Sequence, residues 1–539
     1  MKKIFFVFIL TGTAFAMQAQ SLDEGNKALY YERFATAEQT FRQLLKQDAD
    51  NAAAWYGLIE ALINEHRIEE ASKDLHAAQS SVQGQPYFKV AEGAVLLGQG
   101  NAGDAANYFN QALNDTKQKD ENILAAIARA HVEAENGDAN YAIDLLNKAI
   151  RRDKHNAAYY VLLGDAYLKQ QKGSDAYKAY EDAIEQDKSS AAAYHKMGEI
   201  FLTQKNPDLY VEYFKKAVAA DPNYAPSLYK LYAYEFYHDP AQAMNYYREY
   251  ASKSDASIRN EYDLADLLFL NKQYPDAIAK ANEIIAREGD KVQPRLFKLI
   301  GYSYAGAKDT AKAINSMQQY FERQNDTSFV AKDFISMGEF LASKPDQDSL
   351  AMVFYAKGVA LEKDSAELTR YYKKLAELAR SSKNYSSEAE WQGKYYASND
   401  RASNIDLFNW GLAHYRAGEY ALGDSVFGLY VAKYPQQSFG YYWQARSKAL
   451  QDKEMKDGLA IDAYKRLIEV LEKTPTDPNY KKWIVDAYGY LAAYEANTEQ
   501  NYTEAKGYFE KVLEVDPANA EAKKYIDLLD KSLADKGTK

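Results

Sequence analysis

Apolar and small residues return along most of this chain at a fixed interval of 34 positions. In "NAAYYVLLGDAYLKQQKGSDAYKAYEDAIEQDKSSAAAYHKMGEIFLTQKNPDLYVEYFKKAVAADP", residues 156–222, Gly164 returns as Gly198, Tyr180 as Phe214 and Ala183 as Ala217. Each block predicts two short helices with an apolar stripe, joined by a tight turn. Gly164 and Gly198 fall on the first helix, where a small residue lets two helix axes approach, and are expected to face Ala176 on the second. Leu163, Met197, Tyr180 and Phe214 fill the remaining space. No block can bury its stripe alone, so the pattern predicts blocks stacked one on the next.

The interval persists on both sides of this stretch. Ala37, Ala71 and Ala105 are successive second-helix alanines, and Phe41, Leu75 and Phe109 keep the same step. Ala142 arrives three residues late, after "ENGDANYA", and Ala176 restores the spacing. Ala243, Ala277 and Ala313 continue it on second helices, with Ala265 and Gly301 at the small position of first helices. Pro222, Pro435 and Pro517 follow second helices, and Pro275 is predicted in a first turn, where its missing N–H costs nothing.

This period, with small, aromatic and alanine positions in fixed order, resembles the tetratricopeptide repeat. The resemblance implies an all-α fold, a TPR-type α-solenoid forming a right-handed superhelix of antiparallel helix pairs, with about fourteen units here. An N-terminal array of about nine repeats is expected over 21–322, and the pattern blurs over 323–404, as degenerate repeats or as a bend. Register recovers over 405–517, at Gly411, Tyr420, Phe427 and Pro435. Residues 518–539 predict a capping helix and tail, with Tyr525, Leu528 and Leu529 on its apolar side.

Residues 1–20 predict a secretory leader. Lys2 and Lys3 precede "IFFVFIL", and small residues follow, with cleavage after Ala16 or Ala19. The apolar run is too short to span a bilayer, so no transmembrane segment is expected in the mature chain. The leader resembles those of Bacteroidetes envelope proteins, which implies export to the periplasm, including sites peripheral to the outer membrane. There is no cysteine among the 539 residues, which excludes disulfides, thiol catalysis and cysteine-ligated zinc. The net charge of −11 is spread along the chain and argues against nucleic acid.

Chemical motifs fail on context. Gly98, Gly100 and Gly103 spell a dinucleotide fingerprint, but no strand precedes them and they fall at an interhelical turn. "GYSYA", Gly301 to Ala305, approaches a nucleophile elbow without its closing glycine or its strand. None of the seven histidines (His66, His76, His131, His155, His195, His238 and His414) has another three to five residues away, so no helical metal pair is offered. Asp309, Asp348, Asp364 and Asp424 open triplets resembling the Bacteroidetes O-glycosylation sequon, and aspartate is equally an ordinary helix N-cap. No catalytic, cofactor or metal residue is assigned, and no enzyme activity is expected.

Binding remains. In the repeat family the first helices line the concave surface, and the fifth position of each repeat points there. The resemblance places Tyr56, Val90, Val161, His195, Tyr229, Tyr262, Lys298, Ile335, Phe408 and Tyr442 at that position. Five are aromatic in a chain that is 14% aromatic, so Tyr56, Tyr229, Tyr262, Phe408 and Tyr442 are the candidate groove residues, expected to be exposed. Chaperone-type members hold a terminal carboxylate with Lys, Asn and Arg; Val161, Asp165, His195 and Glu199 do not provide that clamp. The reading is a non-enzymatic scaffold of the bacterial envelope that binds protein segments along its groove. Envelope secretion or TonB-type transport components are the partners such a protein implies. The alternative is a glycan-binding scaffold in polysaccharide export or uptake, since aromatic faces stack on sugars.

Overall fold

The computed structural model describes residues 22–537, so the expected leader lies outside the described residues. Among these the regular structure is thirty α-helices and two short 3-10 turns, with no strand. The described residues divide into two compact units, those up to Val292 and those from Gln293 onward.

The first unit holds eight helix pairs. They are α1 (Leu22–Tyr30) with α2 (Phe34–Gln47), α3 (Ala52–Asn64) with α4 (Ile68–Ala77) and, after the single turn α5 (Ser80–Gln83), α6 (Pro86–Gly98) with α7 (Ala102–Asp115). Next come α8 (Glu121–Glu133) with α9 (Ala139–Arg152), α10 (Ala157–Lys169) with α11 (Gly173–Gln186), and α12 (Ala191–Thr203) with α13 (Pro207–Ala220). The last two are α14 (Ala225–Glu235) with α15 (Pro240–Lys253), and α16 (Ile258–Leu270) with α17 (Tyr274–Glu288).

The second unit holds six more. They are α18 (Arg295–Gly306) with α19 (Thr310–Arg323), α20 (Ala331–Ala342) with α21 (Asp348–Leu361), and α22 (Ser365–Ser381) with α23 (Tyr385–Ser398). They continue as α24 (Asn404–Ala417) with α25 (Tyr420–Lys433), α26 (Ser438–Gln451) with α27 (Ile461–Lys473), and α28 (Tyr480–Asn497) with α29 (Tyr502–Val515). The single helix α30 (Ala520–Gly537) closes the stack. This is the all-α repeat fold that the 34-residue interval predicts.

The helices start where the sequence signals. Side chains of Asn51, Asp120, Asp138, Asn156, Asn206 and Asp239 accept backbone N–H groups in the first turns that follow them, satisfying donors the helix cannot. Asp309 and Asp364 do the same for α19 and α22. Asp424 lies within α25 and pairs with Lys448 at 2.8 Å. Pro275 sits in the first turn of α17 as expected. Most turns inside pairs carry a left-handed residue: it is glycine at Gly100, Gly418 and, in the turn that also holds left-handed Met455, Gly458, while residues such as Glu32, His66, Gln171, Lys205, Lys272 and Lys308 take that conformation elsewhere. The fingerprint glycines are thereby placed: Gly98 ends α6, Gly100 makes the turn at φ +86°, and Gly103 opens α7.

One packing rule repeats through both units. A Cβ added at Gly164 would lie 2.3 Å from the Tyr180 ring, and one at Gly198 2.6 Å from the Phe214 ring. Gly93 meets Phe109 in the same way, Gly411 meets Phe427, and Phe41 is gripped by both Gly25 and Gly57. The expectation that Gly164 and Gly198 face Ala176 is therefore corrected. The glycine opens a slot for the flat ring sixteen residues later, and an alanine partner would leave that slot empty. The blurred stretch 323–404 is built of regular pairs. Gly338 meets Tyr355 one residue late, and in the seventeen-residue α22 the buried Ala379 stands sixteen residues before the buried Tyr395.

Candidate partner groove

Within the first unit, α3, α6, α8, α10, α12 and α14 pack successively as first helices, and charged side chains form a row along them. Arg129 on α8 reaches past α6 to Glu60 on α3, Nη1 to Oε1 3.1 Å, and lies 3.8 Å from Glu133. Lys196 on α12 lies 3.5 Å from Asp165 on α10 and 3.4 Å from Glu199. Lys230 on α14 meets the other Glu199 oxygen at 3.1 Å. His195 stands 3.6 Å from Glu199 through Nε2, and its Nδ1 is 2.9 Å from the Ser227 hydroxyl. The Tyr180 hydroxyl donates to Asp165 at 2.7 Å, so the aromatic ring in the glycine slot also anchors the row.

The environment of this row is set by opposing effects. Burial raises the Glu199 carboxyl, but the His195 hydrogen bond and the charges of Lys196 and Lys230 outweigh it and hold the group well below the carboxylate range. Glu133 goes the other way. Burial pushes its carboxyl well above that range, Glu60 adds to the rise, and Arg129 only partly offsets it. Yet the side chains of Arg129, Glu133, Glu199, Lys196 and Lys230 keep between 29% and 39% of their surface open to solvent. These groups are crowded by protein and yet still touch solvent.

The Glu133 shift has a sign that can be tested. The folded state favours its protonated form, so its contribution to stability is complete below the ordinary carboxylate pKa and is lost as pH rises through the raised value. Glu133→Gln is expected to be stabilising at mildly alkaline pH by about 1 kcal/mol, discounted for solvent contact, and neutral in mild acid. Urea unfolding midpoints across that range check this; a variant and parent that run in parallel would refute it.

The five aromatic candidates stand elsewhere than expected. Tyr262 and Tyr442 are buried, at 4% and 3% exposure, and Tyr56, Tyr229 and Phe408 are half-buried. The side chains of Tyr56, Tyr229, Phe408 and Tyr442 bridge neighbouring first helices. Tyr56 packs on Tyr87 of α6, and Tyr442 stacks on Trp483 of α28 with ring centroids 4.3 Å apart and donates to Asp486. The Tyr229 hydroxyl accepts from Arg259 of α16 at 2.7 Å, and Phe408 packs on Phe439 and Trp443 of α26. At this register the side chain points along the stack, so an exposed aromatic row is replaced by inter-repeat packing. Val90, His195 and Ile335, at the same position, are buried too, and Lys298 pairs with the buried Asp333 at 3.0 Å. Tyr262→Ala is accordingly expected to destabilise the fold by about 3 kcal/mol, measured by chemical unfolding; unchanged stability would restore it as a surface residue.

The charged row was the part that sequence reasoning passed over. Its signal is the same interval: Asp165 and Glu199, and Lys196 and Lys230, are each 34 residues apart.

Comparison with known proteins agrees with this architecture. The tetratricopeptide repeat family matches residues 28–92, 161–225 and 490–519, stretches that fall on α1–α6, α10–α14 and α28–α29. The chain is a tetratricopeptide-repeat protein. No curated protein matches it. Among solved structures, the C-terminal part of a TPR repeat-containing protein from Cytophaga hutchinsonii is 26% identical, covering 49% of this chain and 99% of that one, with a TM-score of 0.29. A tetratricopeptide repeat protein from Parabacteroides merdae is 16% identical over 48% of this chain and 98% of its own, with a TM-score of 0.29. PilF of Pseudomonas aeruginosa is 19% identical over 37% of this chain and 90% of its own, with a TM-score of 0.30.

Proposed function

We propose that this chain is an exported, non-enzymatic scaffold of the bacterial envelope that binds segments of partner proteins along the first helices of its N-terminal unit. Repeats of this family support a protein-interaction scaffold in general. The observation that carries the finer reading is the wet charged row from Glu60 to Lys230. Its ion pairs are internal and solvent-touched, so a partner segment can exchange them for its own charges at small net cost. Among the described residues no helix is long and apolar enough to cross a membrane. With the aromatic candidates engaged between repeats, no specific observation favours sugar stacking.

Capture from envelope extracts with the mature chain tests this. A protein retained by the parent and released by the pair Lys196→Glu and Lys230→Glu is the expected result. Retention on cell-wall or capsule glycan, unaffected by that pair, would overturn it. The export half is checked by N-terminal sequencing: the mature protein should begin between Met17 and Ser21, and intact Met1 from cytoplasm would refute export.

A further inference from the structure

The turn between α1 and α2 packs far beyond its sequence neighbours. Tyr31 is buried in a cluster with Ala191 at the start of α12, Ala217 near the end of α13, and Tyr224 just before α14. Its hydroxyl donates to Asp221 Oδ2 at 2.8 Å, 190 residues along the chain. The Tyr30 ring packs on Tyr224 with centroids 5.4 Å apart. Four residues past the turn's left-handed Glu32, in the first turn of α2, Thr36 donates twice to the Asp255 carboxylate in the α15–α16 loop: from its N–H at 3.2 Å and from its hydroxyl at 2.5 Å.

In an ordinary stack each pair touches only its neighbours, and the terminal pair frays first. Here the first pair holds the sixth and seventh pairs and the loop into the eighth. The nine-residue α1 is too short to persist as an isolated helix, so it relies on these contacts and on α2. The polar half of the contact is small: two hydroxyls and one N–H on two carboxylates at partly buried positions. That makes it releasable, unlike the glycine-aromatic core. We propose that residues 30–36 are a clasp that closes the N-terminal unit on itself and couples its first helix pair to α12–α15.

The absence of cysteine from the natural chain makes the test clean. Ala35 and Ala256 are exposed and next to the two sides of the contact. In the full chain carrying Ala35→Cys and Ala256→Cys, a bis-maleimide should link the two intramolecularly and slow amide exchange in residues 22–47 and 191–255 together. In the pair Thr36→Val and Asp255→Asn, and separately in Tyr31→Ala, exchange should rise about tenfold or more in both segments, while α6–α9, between them in sequence, keep their protection. Exchange rising in 22–47 alone, or links forming only between molecules, would overturn the clasp. Should Tyr31→Ala fail to fold, the near-isosteric Thr36 and Asp255 pair still decides. No partner is involved, so the outcome is independent of the scaffold reading.

Discussion

Gly198→Leu is expected to destabilise the N-terminal unit by roughly 1–3 kcal/mol, against a helix-propensity gain of at most about 1 kcal/mol from replacing glycine. The reason is geometric. Even a Cβ at this position would sit 2.6 Å from Phe214 Cε1, and Phe214 cannot swing aside. It is 1% exposed, with the His195 ring 5.2 Å away and the Tyr210 ring 6.1 Å away. Gly507→Ala supplies the opposite case. Gly507 lies inside α29 with nothing within 4 Å of its added Cβ, so alanine there should stabilise by about 0.5–1 kcal/mol. Chemical unfolding measures both, and amide exchange should show the Gly198→Leu loss centred on α12–α13. Equal effects of one sign at both glycines would mean that packing against the ring is not what keeps Gly198.

The two glycines also show how far the sequence could be read. The interval that aligns Gly164 with Gly198 and Tyr180 with Phe214 was legible because a repeat stack imposes the same steric demand on every pair. Which second-helix residue meets the glycine was not legible, since Ala176 and Tyr180 are both apolar, both periodic and on the same helix face. The stretch 323–404 blurred for a related reason: its pairs keep the slot but shift it by one residue at Gly338 and Tyr355, or make it with Ala379. The aromatic candidates failed because position in a repeat does not fix direction. Tyr442 points to Trp483 of the next first helix. The clasp was invisible, because residues 31 and 221 are neighbours only once the stack has curved back, and no local pattern encodes that.

Raising the pH from about 10 to 12 is expected to unfold much of the chain, and the tyrosines are the cause. The sequence has 47 of them, and the packing rule places many in slots and between repeats. Burial, the largest effect at each, pushes the phenols of Tyr31, Tyr87, Tyr159 and Tyr247 up to about 12, with Asp221 adding at Tyr31 and Asp120 at Tyr87. Burial raises Tyr180, Tyr232, Tyr355 and Tyr464 further. The folded state therefore favours the neutral phenol. The stability this lends is complete below the ordinary value of about 10 and is lost as pH climbs through the raised values. For Tyr159 and Tyr247, both buried and hydrogen-bonded, the loss is about 2–3 kcal/mol each. Several such losses approach the whole stability of a folded domain. Helical circular dichroism should collapse over this window, in step with a burst of phenolate absorbance. Tyr159→Phe and Tyr247→Phe, which cannot ionise, should move the collapse to higher pH and separate it from the titration of lysine ion pairs. Phenolates appearing smoothly near their ordinary pKa, with helix content intact, would show that these rings are in reach of water and that the inter-repeat packing is looser than the structure describes.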